Sequence, residues 1–188
     1  MVLEVKRMTA EEFDQYAALP ENVERVLEYI GGEIYDVPSN AFASFIAGLI
    51  LTFINNFIRE RGIAGYVTGE AGGYMVAGER YAPDVAFISA ARQPELAKEG
   101  YNPNPPELAV EVEFPVTPES GRKLLRKMAN YLSVGTLLWV VYPETKTVEV
   151  YAPGQPVRVL DVNGTLDGGD VLPGFTLAVK AIFSPSPE

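Results

Sequence analysis

Two acidic side chains, Glu111 and Glu113, are separated by one residue within the apolar run from Leu108 to Phe114. Successive side chains of a β-strand point to opposite faces, so Glu111 and Glu113 are predicted to share one face. The other face is predicted to carry Leu108, Val110, Val112 and Phe114. Two carboxylates about 4 Å apart repel by roughly 4 kcal/mol at an effective dielectric constant of about 20. A bound divalent cation, a basic side chain or protonation of one acid must therefore offset this repulsion.

The chemistry open to this chain is limited by what it lacks, because its 188 residues include no cysteine and no histidine. The absence of cysteine excludes disulfides and thiolate metal ligands. The absence of histidine removes the commonest general base and the commonest soft metal ligand. Catalysis would have to use carboxylates, lysine, tyrosine or hydroxyl groups. Any bound metal is expected to prefer oxygen ligands, as magnesium, manganese and calcium do.

The net charge of −10 disfavours nonspecific binding to nucleic acid. Four of the 15 basic residues nevertheless fall within six positions, and this local cluster could contact phosphate: Arg122, Lys123, Arg126 and Lys127. The longest apolar stretch, Ala41 to Ile54, is short for a membrane span, and no secretory leader pattern opens the sequence. We therefore expect a cytoplasmic protein that does not associate with membranes.

Helix signals define the elements that must position the acidic pair. Thr9 and Glu12 have capping-box spacing, which predicts an N-terminal helix that ends near Leu19. A long apolar helix is expected to begin after Ser39 or Asn40 and to end at Gly62. Thr117 followed by Pro118 predicts the start of another helix, which continues to Gly135.

Strand signals fill the intervals between these helices. Gly31 and Gly32 predict a hairpin within the segment from Leu27 to Tyr35. Tyr66–Thr68 and Gly72–Val76 predict another pair of strands, and a further strand is expected at Ala82–Ile88. The Pro-rich segment from Asn102 to Pro106 predicts a loop, and two later strands are expected at Leu137–Tyr142 and Thr147–Tyr151.

The order of elements predicts an α/β fold in a single domain that covers residues 1–188. We expect a mixed central β-sheet with one helix on each face, an N-terminal helix and hairpin, and a C-terminal β extension. Helical spacing also places Lys127 on the same helix face as Tyr131.

The residue types fit metal-assisted hydrolysis of a phosphodiester. A divalent cation polarises a phosphate oxygen and lowers the pKa of a bound water, and a lysine can stabilise the developing charge. Asp84, Glu111 and Lys127 would supply these groups from three different elements.

The chain resembles the Uma-two-type family of restriction endonuclease-like proteins, within the PD-(D/E)XK nuclease superfamily. The resemblance extends from about Met8 to Phe183 and is carried by five runs: Val26–Ile34, Ala82–Phe87, Leu108–Val112, Lys127–Gly135 and Leu138–Pro143. It implies a restriction endonuclease-like core, with Asp84 and Glu111 as metal ligands and Lys127 as an active-site lysine supplied by the helix. Glu28 matches an acid that is typical of the family.

Some positions depart from the family pattern. Glu113 occupies the position that gives the superfamily motif its lysine, and some restriction enzymes carry glutamate there as a further acid of the metal site. Phe114 stands where the family usually has serine, Tyr142 where aspartate is common, and Lys123 where many members carry an acid.

The leading hypothesis is a Mg²⁺- or Mn²⁺-dependent endonuclease that acts on DNA, as a homodimer because a small nuclease must reach two strands. The expected catalytic residues are Asp84, Glu111, Glu113, Lys127 and Glu28, of which the first three would bind the metal. Arg122, Lys123 and Arg126 are candidate nucleic-acid contacts. The alternatives are a noncatalytic module on the same fold that binds nucleic acid or protein, and a carboxylate-pair glycosidase with its acids about 5 to 9.5 Å apart.

Overall fold

The structure, a computed structural model, describes residues 7–37 and 40–184. The helices in this part of the chain are α1 (Ala10–Ala17), α2 (Ala41–Arg61), α3 (Pro118–Ser133) and α4 (Val179–Ile182). The strands are β1 (Leu27–Ile30), β2 (Glu33–Asp36), β3 (Gly65–Gly69), β4 (Tyr74–Val76), β5 (Glu79–Tyr81), β6 (Val85–Ser89), β7 (Leu108–Val112), β8 (Leu137–Tyr142), β9 (Thr147–Tyr151), β10 (Arg158–Leu160), β11 (Thr165–Gly168) and β12 (Leu172–Ala178).

A six-stranded central sheet has the order β10-β9-β8-β7-β6-β3. Strands β7 and β8 are parallel, and the other neighbours in this sheet are antiparallel. Helix α3 makes the crossover between β7 and β8, since parallel neighbours need a connection that returns along the sheet. A smaller sheet has the order β2-β1-β5-β4, and β11 pairs with β12 near the C-terminus.

One long helix covers each face of the central sheet, as the sequence predicts. Ile46, Ile50 and Ile54 of α2 pack in one core cluster with Val110 and Trp139 of the sheet. On the other face, Leu124 and Tyr131 of α3 share a second cluster with Ala109, Leu138 and Val140. Val110 and Ala109 are adjacent on β7 and lie in different clusters, so both faces of this strand are buried.

The helix signals in the sequence are confirmed. The Thr9 hydroxyl accepts a hydrogen bond from the Glu12 amide at 3.1 Å, and the Glu12 carboxylate accepts one from the Thr9 amide at 2.8 Å. Asn40 caps α2, and Gly62 ends it in the left-handed region with φ of +65°. Ser39, the other expected cap, lies outside the described residues. Thr117 caps α3 by accepting a hydrogen bond from the Ser120 amide at 3.0 Å.

The expected pairing of the strands around Tyr66 and Tyr74 is wrong. Strand β3 joins the central sheet beside β6, whereas β4 pairs with β5 in the smaller sheet. Strand β5 was not predicted, because its polar sequence Glu79-Arg80-Tyr81 has no apolar alternation although all three residues are buried. A tight turn at Ala77 and Gly78, both with positive φ, joins β4 to β5.

Helix α2 is apolar on more than its core-facing side. Phe42, Phe45 and Phe53 lie on the outer side and are 47%, 38% and 37% exposed. In the described part of the chain, α2 is the one helix that could cross a membrane by length and composition alone, a test that core helices of soluble proteins also pass.

Replacing Ile54 with alanine should lower the free energy of unfolding by about 2–5 kcal/mol, because Ile54 is fully buried and the truncation leaves a cavity. Leu125→Ala is the matched control, since this helical leucine is 65% exposed. We expect the control to change stability by no more than about 0.5 kcal/mol. Urea unfolding followed by circular dichroism measures both variants, and equal losses would contradict the assignment of the α2 core face.

Candidate active site

A pocket of about 390 Å³ opens where the β1–β2 hairpin, the central sheet and the first turns of α3 meet. The five residues expected in the site all line it: Glu28, Asp84, Glu111, Glu113 and Lys127. They come from elements that are far apart in sequence, so the fold assembles the pocket by long-range packing.

Lys127 lies at the centre of the charged groups in this pocket. Its Nζ is 2.8 Å from Glu28 Oε1 and 2.6 Å from Glu111 Oε2. The lysine side chain is only 7% exposed, because it projects from the sheet-facing side of α3. Burial acts to lower the pKa of Lys127, but the two carboxylates outweigh it, so the pKa lies above its ordinary value and the amine is charged.

Glu111 has hydrogen-bond donors at both carboxylate oxygens. Lys127 donates to Oε2, and the Tyr131 hydroxyl donates to Oε1 at 3.1 Å. Burial is the largest influence on Glu111 and raises its pKa to about 8; Lys127 opposes the shift, while Glu28 and Asp84 add to it. The predicted alternation on β7 is confirmed, because Glu111 faces α3 whereas Val110 and Val112 face α2.

Asp84 extends the hydrogen-bonding ladder between β6 and β7. Its Oδ2 accepts a hydrogen bond from the Val112 amide at 2.6 Å, just beyond the paired residues Val85 and Val110. Among the hydrogen bonds of the described residues, none involves its other oxygen, Oδ1. Burial is the main reason that the pKa of Asp84 is raised, to about 6. The carboxylate is thus fixed by the sheet at one oxygen and directed into the pocket.

Glu28 connects the hairpin to the entry of β6. Its Oε1 accepts hydrogen bonds from the Ala82 amide at 2.9 Å and from Lys127. Ala82 precedes Pro83 and Asp84. Glu28 Oε1 therefore binds both the Lys127 ammonium and the backbone segment that leads into Asp84.

Glu113 follows the last residue of β7 and is half-buried. Its amide donates to the Val141 carbonyl at 2.9 Å, and its side chain lines the pocket on the same side as Glu111. The charges that raise the pKa of Glu111 come from Glu28 and Asp84. The repulsion that the site must offset thus arises between neighbouring elements rather than within the Glu111–Glu113 pair, and Lys127 provides the offset.

The three basic residues proposed to contact nucleic acid have different environments. Arg122 is exposed. Lys123 lines the pocket, with its Nζ 2.9 Å from Glu119 and 4.0 Å from the centre of the Tyr35 ring. Arg126 is held by Glu79, which accepts hydrogen bonds from its Nε at 2.7 Å and lies 2.6 Å from its Nη2.

A polar network behind Lys127 was not predicted from the sequence. Glu79 Oε1 accepts hydrogen bonds from Arg126 and from the Gly31 amide at 2.9 Å, and Glu79 Oε2 accepts one from the Tyr81 hydroxyl at 2.6 Å. Asn130 of α3 donates to the same hydroxyl at 2.6 Å. The network fastens α3 to the smaller sheet on both sides of Lys127. No local pattern in the sequence marks Glu79 as buried.

A solved structure shares this architecture. The crystal structure of a putative nuclease belonging to DUF820 from Anabaena variabilis aligns with a TM-score of 0.77 at 24% sequence identity, covering 94% of this chain and 97% of the other. The chain therefore has the same mixed α/β fold, with a central mixed sheet flanked by helices. No curated protein matches it.

A family model described as "Uma2: Putative restriction endonuclease" matches residues 10–180. Because the match covers most of the chain, the protein belongs to this family. The family and the fold implied by the sequence resemblance are thus confirmed, while the roles of the individual pocket residues stay predictions.

The stability difference between the wild type and Glu111→Gln should depend on pH. The folded state raises the pKa of Glu111 from 4.5 to about 8, so the native protein retains a proton that the unfolded chain releases. The contribution of Glu111 to the free energy of unfolding must therefore fall as pH rises between these two values. Urea unfolding at several pH values should show that the free energy of unfolding declines less with rising pH in Glu111→Gln than in the wild type. Parallel curves of the free energy of unfolding against pH for the two proteins would contradict the raised pKa.

Arg126→Ala should reduce the free energy of unfolding by about 1–2 kcal/mol, because it leaves the buried Glu79 carboxylate without one of its donors. Arg122→Ala is the matched control on the same helix, since Arg122 is exposed, and we expect it to leave stability unchanged. Thermal or urea unfolding compares the two. Equal effects would show that Arg126 has no special structural role.

Proposed function

We propose that the protein is a Mg²⁺- or Mn²⁺-dependent endonuclease that hydrolyses phosphodiester bonds of DNA. The observation that carries the proposal is the buried Lys127 ammonium, held by Glu28 and Glu111 in one pocket with Asp84. Membership in the family described as "Putative restriction endonuclease" supports the same activity.

The acidic groups fit an oxygen-preferring cation. Across residues 7–37 and 40–184, no group of three or more histidine, cysteine, aspartate or glutamate side chains is arranged to hold a metal ion. Mg²⁺, however, is usually bound by one or two carboxylates and completes its shell with water and substrate phosphate. Asp84 and Glu111 would provide these two carboxylates, with Glu113 as a third candidate. The bound cation would polarise a phosphate oxygen and lower the pKa of a water molecule.

Lys127 would act on the phosphate or on the attacking water. An ammonium group has three N–H donors, and the two carboxylates take two of them. The third can donate to a phosphate oxygen, where a positive charge stabilises negative charge that develops during hydrolysis. Glu28 would serve as a positioning residue, because it orients Lys127 and the backbone before Asp84.

The DNA backbone would approach the pocket along the first turns of α3. The exposed Arg122 supplies positive charge there, although the chain as a whole carries a net charge of −10. Lys123 at the pocket adds to it, because its partner Glu119 is exposed and such surface ion pairs are weak. Phosphate contacts depend on such local charge. Arg126 would contribute less, since its guanidinium is already paired with Glu79.

The second candidate is a noncatalytic nucleic-acid-binding module on the same fold. One observation favours it: the Lys127 ammonium lies 2.6 Å from Oε2 of Glu111, so a cation bound to the same carboxylate would be repelled by a positive charge. Binding of DNA without cleavage would be its expected behaviour.

Wild-type protein should cleave plasmid or oligonucleotide DNA only with Mg²⁺ or Mn²⁺, and Glu111→Gln should lower the rate by at least about 100-fold, because it removes a proposed metal ligand. Glu99→Gln, which changes an exposed loop acid, should cleave like the wild type. Circular dichroism confirms that each variant is folded, and calorimetric titration with Mn²⁺, with and without an oligonucleotide, reports cation binding.

Two results would contradict the nuclease proposal. A folded Glu111→Gln protein that cleaves as fast as the wild type would remove Glu111 from the mechanism. DNA binding by the wild type without cleavage in either metal would favour the noncatalytic module.

A further inference from the structure

The outer side of α2 carries a strip of residues that repeat at alternating intervals of three and four, the spacing of a helix–helix seam. Phe42, Phe45 and Leu49 make the N-terminal part of this strip apolar, whereas Thr52 and Asn56 continue it with polar side chains. Phe53 lies beside this strip and is 37% exposed. We call these six residues the α2 seam.

The α2 seam is unusual for a surface helix. Such helices normally present a polar face to water, and helices that are apolar all round are normally buried. Of the 21 residues of α2, only five are buried: Ile46, Ala47, Ile50, Ile54 and Ile58. Exposed apolar patches of this kind mark interaction sites.

We propose that the α2 seam docks a second copy of this chain, with the two α2 helices antiparallel across a two-fold axis near Leu49. In that arrangement Phe45 lies opposite Phe53 of the partner subunit, and Phe42 lies opposite Asn56 of the partner subunit. The same surface then serves both copies, as a two-fold dimer requires.

Charge favours a second copy as the occupant. From Ala41 to Ile58 the helix has no charged residue, whereas the whole chain carries a net charge of −10. Two copies that meet through this uncharged segment bring no like charges of the segment together.

The two ends of the helix are also complementary in charge. At the N-terminal end, Phe42 packs edge-on against Phe114 at 5.1 Å, and Phe114 lies beside Glu113 on the pocket wall. At the C-terminal end, Arg59, Glu60 and Arg61 lie in the last turn and give it a net charge of +1, from two positive charges and one negative charge. Antiparallel docking brings the basic end of each copy to the acidic rim of the other, so Arg59 of the partner subunit would add positive charge near the pocket.

Single cysteines provide a direct test, because the chain contains no other cysteine. Leu49→Cys, near the proposed axis, should form an intermolecular disulfide in most of the protein under mild oxidation. Asn56→Cys should not, since position 56 faces position 42 in an antiparallel pair. Leu125→Cys on α3 is the exposed control away from the seam. Efficient cross-linking at both 49 and 56, or at neither position, would overturn the proposed geometry.

Oligomeric state gives the second test. Sedimentation equilibrium of the wild type should yield twice the chain mass of 20.5 kDa, and Phe45→Glu should weaken dimerisation by at least tenfold while Leu125→Glu leaves it intact. If Phe45→Glu fails to fold by circular dichroism, Phe53→Ser replaces it. A monomeric wild type, or a dimer unaffected by the folded seam variant, would overturn the proposal.

Vesicles of anionic and neutral phospholipid test the other possible partner of the α2 seam, a membrane surface. Flotation of a monomeric wild type with these vesicles would assign the α2 seam to a membrane and reject the dimer. None of these three measurements uses metal, DNA or cleavage, so the dimer and the nuclease can each fail without the other.

Discussion

The structure around the pocket depends on one ammonium group placed among three carboxylates. Glu28, Asp84 and Glu111 come from the hairpin, the entry of β6 and the middle of β7, and Lys127 from α3 contacts two of them. Buried ions are costly to desolvate, and an ion that loses its partner typically destabilises a protein by about 3–5 kcal/mol. The acids can therefore be buried only when the two sheets and α3 are placed so that Lys127 reaches them.

Much of this arrangement could be predicted from local patterns. The capping residues Thr9, Asn40 and Thr117 and the terminating Gly62 define helices because their signals depend on a few neighbouring residues. The alternation on β7 placed Glu111 on the opposite face from Val110, and helical spacing placed Lys127 beside Tyr131. The family resemblance added Glu28, which has no local signal of its own.

The rest depends on contacts between residues that are distant in sequence. Glu79 is buried because α3 supplies Arg126 and Asn130 to its network, and nothing in the sequence near Glu79 encodes that packing. The pairing of β3 with β6 and of β4 with β5 also depends on such distant contacts, because a strand joins the sheet in which its apolar side chains can be buried. The sequence places Arg126 in a basic cluster on α3 and gives no sign of its partner, because that partner, Glu79, is 47 residues away in the chain.

The bond between Lys127 and Glu28 joins residues separated by 99 positions. Contacts of such long range cost more loop entropy to close than local ones, and they slow folding when many of them must form. We therefore expect the pocket to be completed late, after α2 and the β1–β2 hairpin have formed. Until then Asp84 and Glu111 remain hydrated, so partly folded forms of the chain would lack the raised pKa values that burial gives these two carboxyl groups in the finished pocket.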